Sequence, residues 1–362
     1  MADSDIDRGK RPANLPAPPS SASSSSSAPS CAVLHKDYLS LLTLVYASTT
    51  KSSLTLRPQE PAYSAALGPL RDLATNITAL TTCATLFDVY GFTLASDARL
   101  SAREVCEAVR ALATNFLDKN GEDYLVRAGT VHDLVDQAKR DLSVDNRTAV
   151  RKRWISDRGM LEDTYEEVIS MAEGGNDDEI EDGEDDFGDD EWDELGLGSS
   201  KKLSEAEVDR IKKVQPLLRF STLLHKRVQL DILSDASTAT PSLEALDALP
   251  SCSHGLLVAS EEVVAALYAP QNPANVASAI TSLSTAVKTL RLTLEDGALL
   301  PRRNGDVDEL TTGMATLSVG GNGVNGQKNR DARGWFETCF AQIEKLSQST
   351  AVAVVAESSD TT

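Results

Sequence analysis

The sequence predicts an all-α protein, an antiparallel bundle of long helices with a disordered N-terminal tail and two disordered loops. Three observations predict it. Apolar residues recur at alternating steps of four and three along several long segments, the period of a helix that buries one face. Few segments alternate as a strand would. Ser and Pro stand where several of these segments begin, in the positions that satisfy or dispense with a helix's first amides.

Taken in order, residues 1–30 carry few large hydrophobics and contain the run PAPPSSASSSSSAPS. They cannot offset their own ordering entropy and are expected to form a disordered tail. They lack an apolar core, so they do not read as a signal peptide. A first helix is expected near 32–56, on a stripe of Leu34, Tyr38, Leu41 and Val45. A second, near 62–88, follows Pro61 and carries Ala66, Leu70, Leu73, Ile77, Leu80, Ala84 and Phe87. A third is expected near 101–119, because Ser101 and Glu104 fit a capping box ahead of Val105, Val109, Leu112 and Phe116. A fourth, near 122–142, holds Tyr124, Ala128, Val131, Val135, Ala138 and Leu142, and a fifth spans 146–173. Ser204 and Glu207 make a second capping box for a helix near 204–234, which Pro216 is expected to kink or divide. Further helices are expected near 251–268, near 274–295 behind Pro273 (Val276, Ile280, Leu283, Val287, Leu290, Leu294) and near 332–348. Long helices with short links favour antiparallel neighbours. The organisation that follows is a tail (1–30), an N-terminal bundle (31–174), an acidic disordered linker (175–202) and a C-terminal helical region (203–296). A Gly/Asn-rich disordered linker (297–330), a final helix packing on the bundle (331–349) and a tail (350–362) complete it.

Of 362 residues, 55 are Asp or Glu and 35 are Lys or Arg, a net charge of −20. Fourteen of the acids lie between Glu173 and Glu194, where there is no Lys or Arg, and the rest of the chain balances 41 acids against 35 bases. The imbalance therefore describes one segment more than the fold. A charge this negative argues against nucleic acid or an anionic membrane as the main partner. The five cysteines are scattered without a C-x-x-C, which favours buried thiols of a reducing compartment over a disulfide framework or a zinc site. No uncharged apolar stretch reaches ~18 residues, so no transmembrane helix is expected. The chain reads as soluble and intracellular.

Candidate chemistry is sparse. Gly321, Gly323 and Gly326 spell G-x-G-x-x-G, but a polar run separates them from the next helical stripe and no further strands complete a sheet, so a flexible linker is the better reading. Asp178, Asp182, Gly183, Asp186 and Asp189 fall at EF-hand spacing, yet Ile180 occupies a ligand position and Asp189 replaces the bidentate Glu. None of His35, His132, His225 and His254 pairs at i,i+4, and each reads as a capping or surface histidine. Arg151-Lys152-Arg153-Trp154 is the densest basic cluster and reads as a solvated helix face. No catalytic, cofactor or metal residues are assigned. The one candidate site is an acidic docking segment with two aromatic anchors, Asp185, Asp186, Phe187, Asp189, Asp190, Glu191, Trp192 and Asp193, weighed against a merely solvating loop.

The runs LVRAGTVHDLVDQAK (125–139), LYAPQNPANVASAITSLSTAVKTLRLTL (267–294) and GWFETCFAQIEKLSQS (334–349) resemble the Grap2 and cyclin-D-interacting proteins, also called cyclin-D-binding proteins. The order of features is similar too: a helical N-terminal part, an acidic loop, then DELGLGSSKKLSEAEVDRIKKVQPLLRFSTLLHKRV (193–228) and more helices. The resemblance implies a non-enzymatic helical bundle that binds other proteins, D-type cyclins among them, and restrains cell-cycle entry and transcription in cytoplasm and nucleus. It carries over no cofactor, catalytic or metal-binding residue. The Ser-rich N-terminus and the 297–330 segment depart from that pattern, and no basic helix-loop-helix region is present for direct contact with nucleic acid. The expected function is regulation of cyclin-like or transcription-factor partners by binding them. Two other readings are a cytoskeletal adaptor of the vinculin or α-catenin type and an acidic-loop chaperone of basic proteins. Neither the partner nor the oligomeric state is legible.

Overall fold

In a computed structural model, residues 29–118, 123–173, 203–234, 242–300 and 332–359 are described. Among them are nine α-helices and no strand. They are α1 (Cys31–Thr55), α2 (Tyr63–Thr85), α3 (Phe92–Leu117), α4 (Tyr124–Asp141), α5 (Asn146–Ala172), α6 (Glu205–Arg227), α7 (Leu243–Ala266), α8 (Pro273–Asp296) and α9 (Ala332–Ser359). A 3-10 turn, Leu86–Tyr90, links α2 to α3, and a π turn, Val228–Ile232, ends α6.

Most sequence stripes become core. All six residues of the α4 stripe and all six of the α8 stripe are buried. Each large aliphatic so removed from water contributes about 2 kcal/mol before entropy is counted. Helix starts follow side-chain caps where the sequence offers them. Ser204 and Glu207 form the reciprocal box of α6, Ser30 caps α1, Asp145 caps α5, Ser242 caps α7, and Asn272 caps α8 with Pro273 as its first helical residue.

Three expectations change. First, Ser101 is no cap: α3 starts at Phe92 and runs through Ser101, whose hydroxyl bonds the Tyr38 hydroxyl at 2.8 Å and the Ala98 carbonyl at 3.1 Å. Second, α6 continues through Pro216 instead of dividing there. Third, α7 begins at Leu243 with Pro250 inside it, and α9 runs to Ser359, through most of the expected tail. Leu299 and Leu300 are also buried, so the compact body extends past the expected start of the Gly/Asn-rich linker. The remaining tail and linker assignments lie outside the described residues.

Helices α1 to α4 pack in cyclic order, each on its chain neighbours with α4 closing on α1. Their ends meet as alternation requires. Tyr90 donates to the Pro29 carbonyl, the Cys31 thiol to the Val144 carbonyl, and His35 Nε2 lies 3.2 Å from the Leu142 carbonyl, so the start of α1 sits with the ends of α2 and α4. The remaining five helices close a ring in the order α5, α6, α9, α8, α7. A ring of five cannot alternate throughout. The odd pair is α5 with α7, which run parallel: Asn146 meets Asp247, Asp157 meets Ser253, and Glu167 meets Tyr268.

The two cores divide inside α5. Ala149 packs into the first, and Val150, Trp154, Leu161 and Val168 pack into the second. The sequence division at 174 would have left α5 with the first bundle. Its larger side chains instead need the α6 and α7 faces, and only its first turn bridges.

Candidate interaction site

Gly91 turns the chain into α3 at φ +130°, in the left-handed region where a side chain is strained. A Cβ there would also overlap the Asn146 side chain. This close approach lets α5 and α7 cap α3 from outside. Asp247, the fifth residue of α7, accepts from the Phe92 amide (2.7 Å), the Thr93 amide (2.9 Å), the Thr93 hydroxyl (2.6 Å) and Asn146 Nδ2 (3.0 Å). Asn146 Oδ1 in turn accepts from the Leu94 amide at 3.0 Å. Three of the orphan amides that every helix start leaves are thereby satisfied by residues from the other bundle. Arg153 adds an ion pair to Asp97 at 2.6 Å, so the basic cluster on α5 serves the joint, and its Trp154 is fully buried where a solvated face was expected. Burial pushes the Asp247 carboxyl up, but the Thr93, Asn146 and Phe92 donors together outweigh it and hold the group below its ordinary value.

A second polar cluster lies inside the C-terminal bundle. The Trp154 and His225 rings stack at 4.3 Å and 14°, and Trp154 Nε1 donates to the His225 carbonyl at 3.0 Å. His225 Nε2 lies 2.9 Å from Ser253 Oγ, and Ser253 donates to Asp157 Oδ2 at 2.5 Å. The residue types are those of a hydrolytic triad, but the wiring is not. The carboxylate holds the serine's proton instead of orienting the imidazole, and both Ser253 and His225 are fully buried. With the serine hydrogen given to Asp157, its oxygen accepts from Nε2–H. Nδ1 is then the bare nitrogen, and it finds no partner among the described residues. Burial and the nearby Arg158 charge push the His225 pKa down to about 3.

That displacement has a measurable sign. In the unfolded chain His225 takes a proton near its ordinary 6.5, and in the folded chain it resists until about 3, so the unfolded state binds more protons as pH falls between them. Stability should fall by about 2 kcal/mol between pH 7 and pH 5 from this group. Urea unfolding at both values, in the wild-type chain and in His225→Gln, checks it: the variant should show a flatter pH slope by that amount, whatever its absolute stability.

The other histidines are less enclosed. His132 stacks on Tyr46 at 3.9 Å, bonds Thr50 Oγ1 at 3.1 Å, and has its pKa lowered mainly by burial. His254 is exposed on the wall of a shallow groove between α7 and α8, of about 710 Å³. A groove of similar volume runs between α1 and α2, walled by Leu34 and Leu41 on one side and Ala74, Thr78 and Ala79 on the other. Cys83, Cys252 and Cys339 are buried as expected, but Cys31 and Cys106 are half-buried. Among the described residues there is no group of three His, Cys, Asp or Glu placed to hold a metal, and no helix long and apolar enough to cross a membrane.

The acidic docking segment Asp185, Asp186, Phe187, Asp189, Asp190, Glu191, Trp192 and Asp193 lies outside the described residues, as do Gly321, Gly323, Gly326 and the EF-hand spacing. The joint of Asp247, Asn146 and Thr93 escaped sequence reasoning. An acid near a helix start reads as a partner for its own helix dipole, and nothing local marks it as the cap of another helix.

No curated protein matches the chain. Residues 37–174 match the family model for Grap2 and cyclin-D-interacting, N-terminal, and residues 188–292 match that for Grap2 and cyclin-D-interacting, C-terminal. The first match runs from Asp37 within α1 to the end of α5 and the second takes in α6 to α8 as far as Leu292, so together they span the joint and most of both bundles. The chain belongs to the Grap2 and cyclin-D-interacting family.

Proposed function

We propose that this chain is a non-enzymatic interaction protein that regulates cell-cycle progression and transcription by binding cyclin-like or transcription-factor partners, in cytoplasm and nucleus. The observation that carries the reading is the pair of family matches across both bundles. The joint supports it by presenting two bundles as one surface, since a fixed arrangement loses less entropy on binding than a hinged one. Recognition then falls to helix faces and the grooves between them, as for helices that dock in grooves elsewhere.

The test is calorimetry and size-exclusion chromatography of the full chain with a purified D-type cyclin. A complex in the micromolar range or tighter, about −8 kcal/mol, is expected. No heat and no shift at tens of micromolar would overturn the cyclin reading. Deleting 175–200 should leave the complex intact if helix faces carry it, and loss of binding on that deletion would move the contact to the acidic segment.

A further inference from the structure

Helix α6 packs its buried residues, among them Ile211, Val214, Leu217, Leu218 and Leu224, into the second core and turns an unusual face outward. Lys212, Arg219 and Lys226 are exposed and recur every seven residues. Half-buried Pro216 and exposed Leu223 and Leu230 recur at the same spacing between them. At 100° per residue the five on α6 itself fall within about 40° of one line along the helix, the three cations on one edge and Pro216 and Leu223 on the other, and Leu230 follows in the π turn. The neighbouring cations are already engaged: Arg227 pairs with Asp231 at 2.9 Å and lies over the Trp335 ring, Arg210 bonds Gln271 at 2.6 Å, and Arg158 pairs with Glu162 at 2.8 Å. Two acids, Glu205 and Asp209, are exposed at the N-terminal end of the stripe, Glu205 one heptad before Lys212, so the cationic part of the face begins at Lys212.

We infer that this face of α6 docks an amphipathic helix from another protein, one carrying carboxylates beside a leucine-type stripe at seven-residue spacing. The periodicity selects a helix, because a seven-residue repeat of cations flanking apolar residues is the complement of such a repeat with acids at its flanks. The charge selects an acidic one. It also excludes a symmetric pairing with a second copy, in which like cations would face each other across the two-fold axis. Nucleic acid is disfavoured on two counts. The cations stand about 10 Å apart with apolar residues between them, far wider than successive phosphates, and the chain carries −20 overall. The inference goes beyond the cyclin reading and does not depend on it.

The probe is a synthetic peptide of about three heptads with Leu at the a and d positions and Glu at e and g, whose like charges keep it from pairing with itself at neutral pH. Fluorescence anisotropy with the full chain is expected to show saturable, salt-sensitive binding. The triple variant Lys212→Glu, Arg219→Glu, Lys226→Glu should weaken it about tenfold or more, with unchanged circular dichroism, and Leu223→Ala with Leu230→Ala should weaken it severalfold. Four results would overturn the inference: equal affinity of wild type and triple variant; equal binding of the same peptide with Lys for Glu; tighter binding to a DNA duplex or to phosphatidylserine vesicles than to the peptide; or a gain of about tenfold on converting the 14 acids between Glu173 and Glu194 to amides. The last would make the chain's own carboxylates the occupant. Retained cyclin binding by the triple variant would leave the cyclin reading standing whatever the peptide does.

Discussion

Replacing Trp154 by Ala is expected to destabilise the chain by about 3–5 kcal/mol, the range for deleting a large aromatic from a packed core. The indole is fully buried, stacks on His225, and gives its N–H to the His225 carbonyl. The deletion therefore opens a cavity, removes a ring contact, and takes one of two donors from a buried carbonyl, the Val228 amide being the other. Trp154→Phe separates these losses. It keeps most of the ring and forfeits the hydrogen bond, and is expected to cost about 1–2 kcal/mol. Urea unfolding followed by far-ultraviolet circular dichroism reads both. A loss under about 1 kcal/mol for the alanine variant would mean that α5 does not belong to the second core.

The same helix shows what the sequence could and could not reveal. The stripes on α4 and α8 were legible because each helix buries one face against one core, and periodicity records that directly. In α5 the pattern serves two cores, Ala149 on one and Val150 on the other, so no single stripe marks the change of partner. Trp154 looked like the end of a basic patch because its neighbours are Arg151, Lys152 and Arg153. Adjacent residues on a helix point 100° apart, which leaves Lys152 exposed, Arg151 and Arg153 half-buried and the indole inside. His225 was read as a surface or capping residue for a similar reason. Its burial depends on Trp154 and Ser253, 71 and 28 residues away, and no local spacing encodes them. The parallel α5–α7 pair follows from closing a ring of five, a property of the ring and of no single segment.

The start of α3 is the clearest case, and it yields the second large effect. Ser101 with Glu104 satisfies every local criterion for a cap, yet the helix begins nine residues earlier because its first amides are met by Asp247. Asp247→Ala is expected to cost about 2–4 kcal/mol, combining loss of an N-terminal cap with the stranding of the Thr93 hydroxyl and Asn146 Nδ2. It should also uncouple the bundles. Native-state hydrogen exchange should speed at the Phe92 and Thr93 amides, while Leu94, which donates to Asn146 instead, is affected less. Asp247→Asn should fall between, since one carbonyl oxygen survives and the amide turns donors towards donors. The pH dependence has a definite sign. A carboxylate held below its ordinary 3.8 stabilises the fold above that value, and the contribution is lost as pH falls through the folded pKa. The stability gap between wild type and Asp247→Ala should therefore be full at pH 6 and shrink below about 3.8. A gap that stays constant into acid would mean that the carboxylate's charge plays no part in the joint. Its shape alone would then hold the two bundles together.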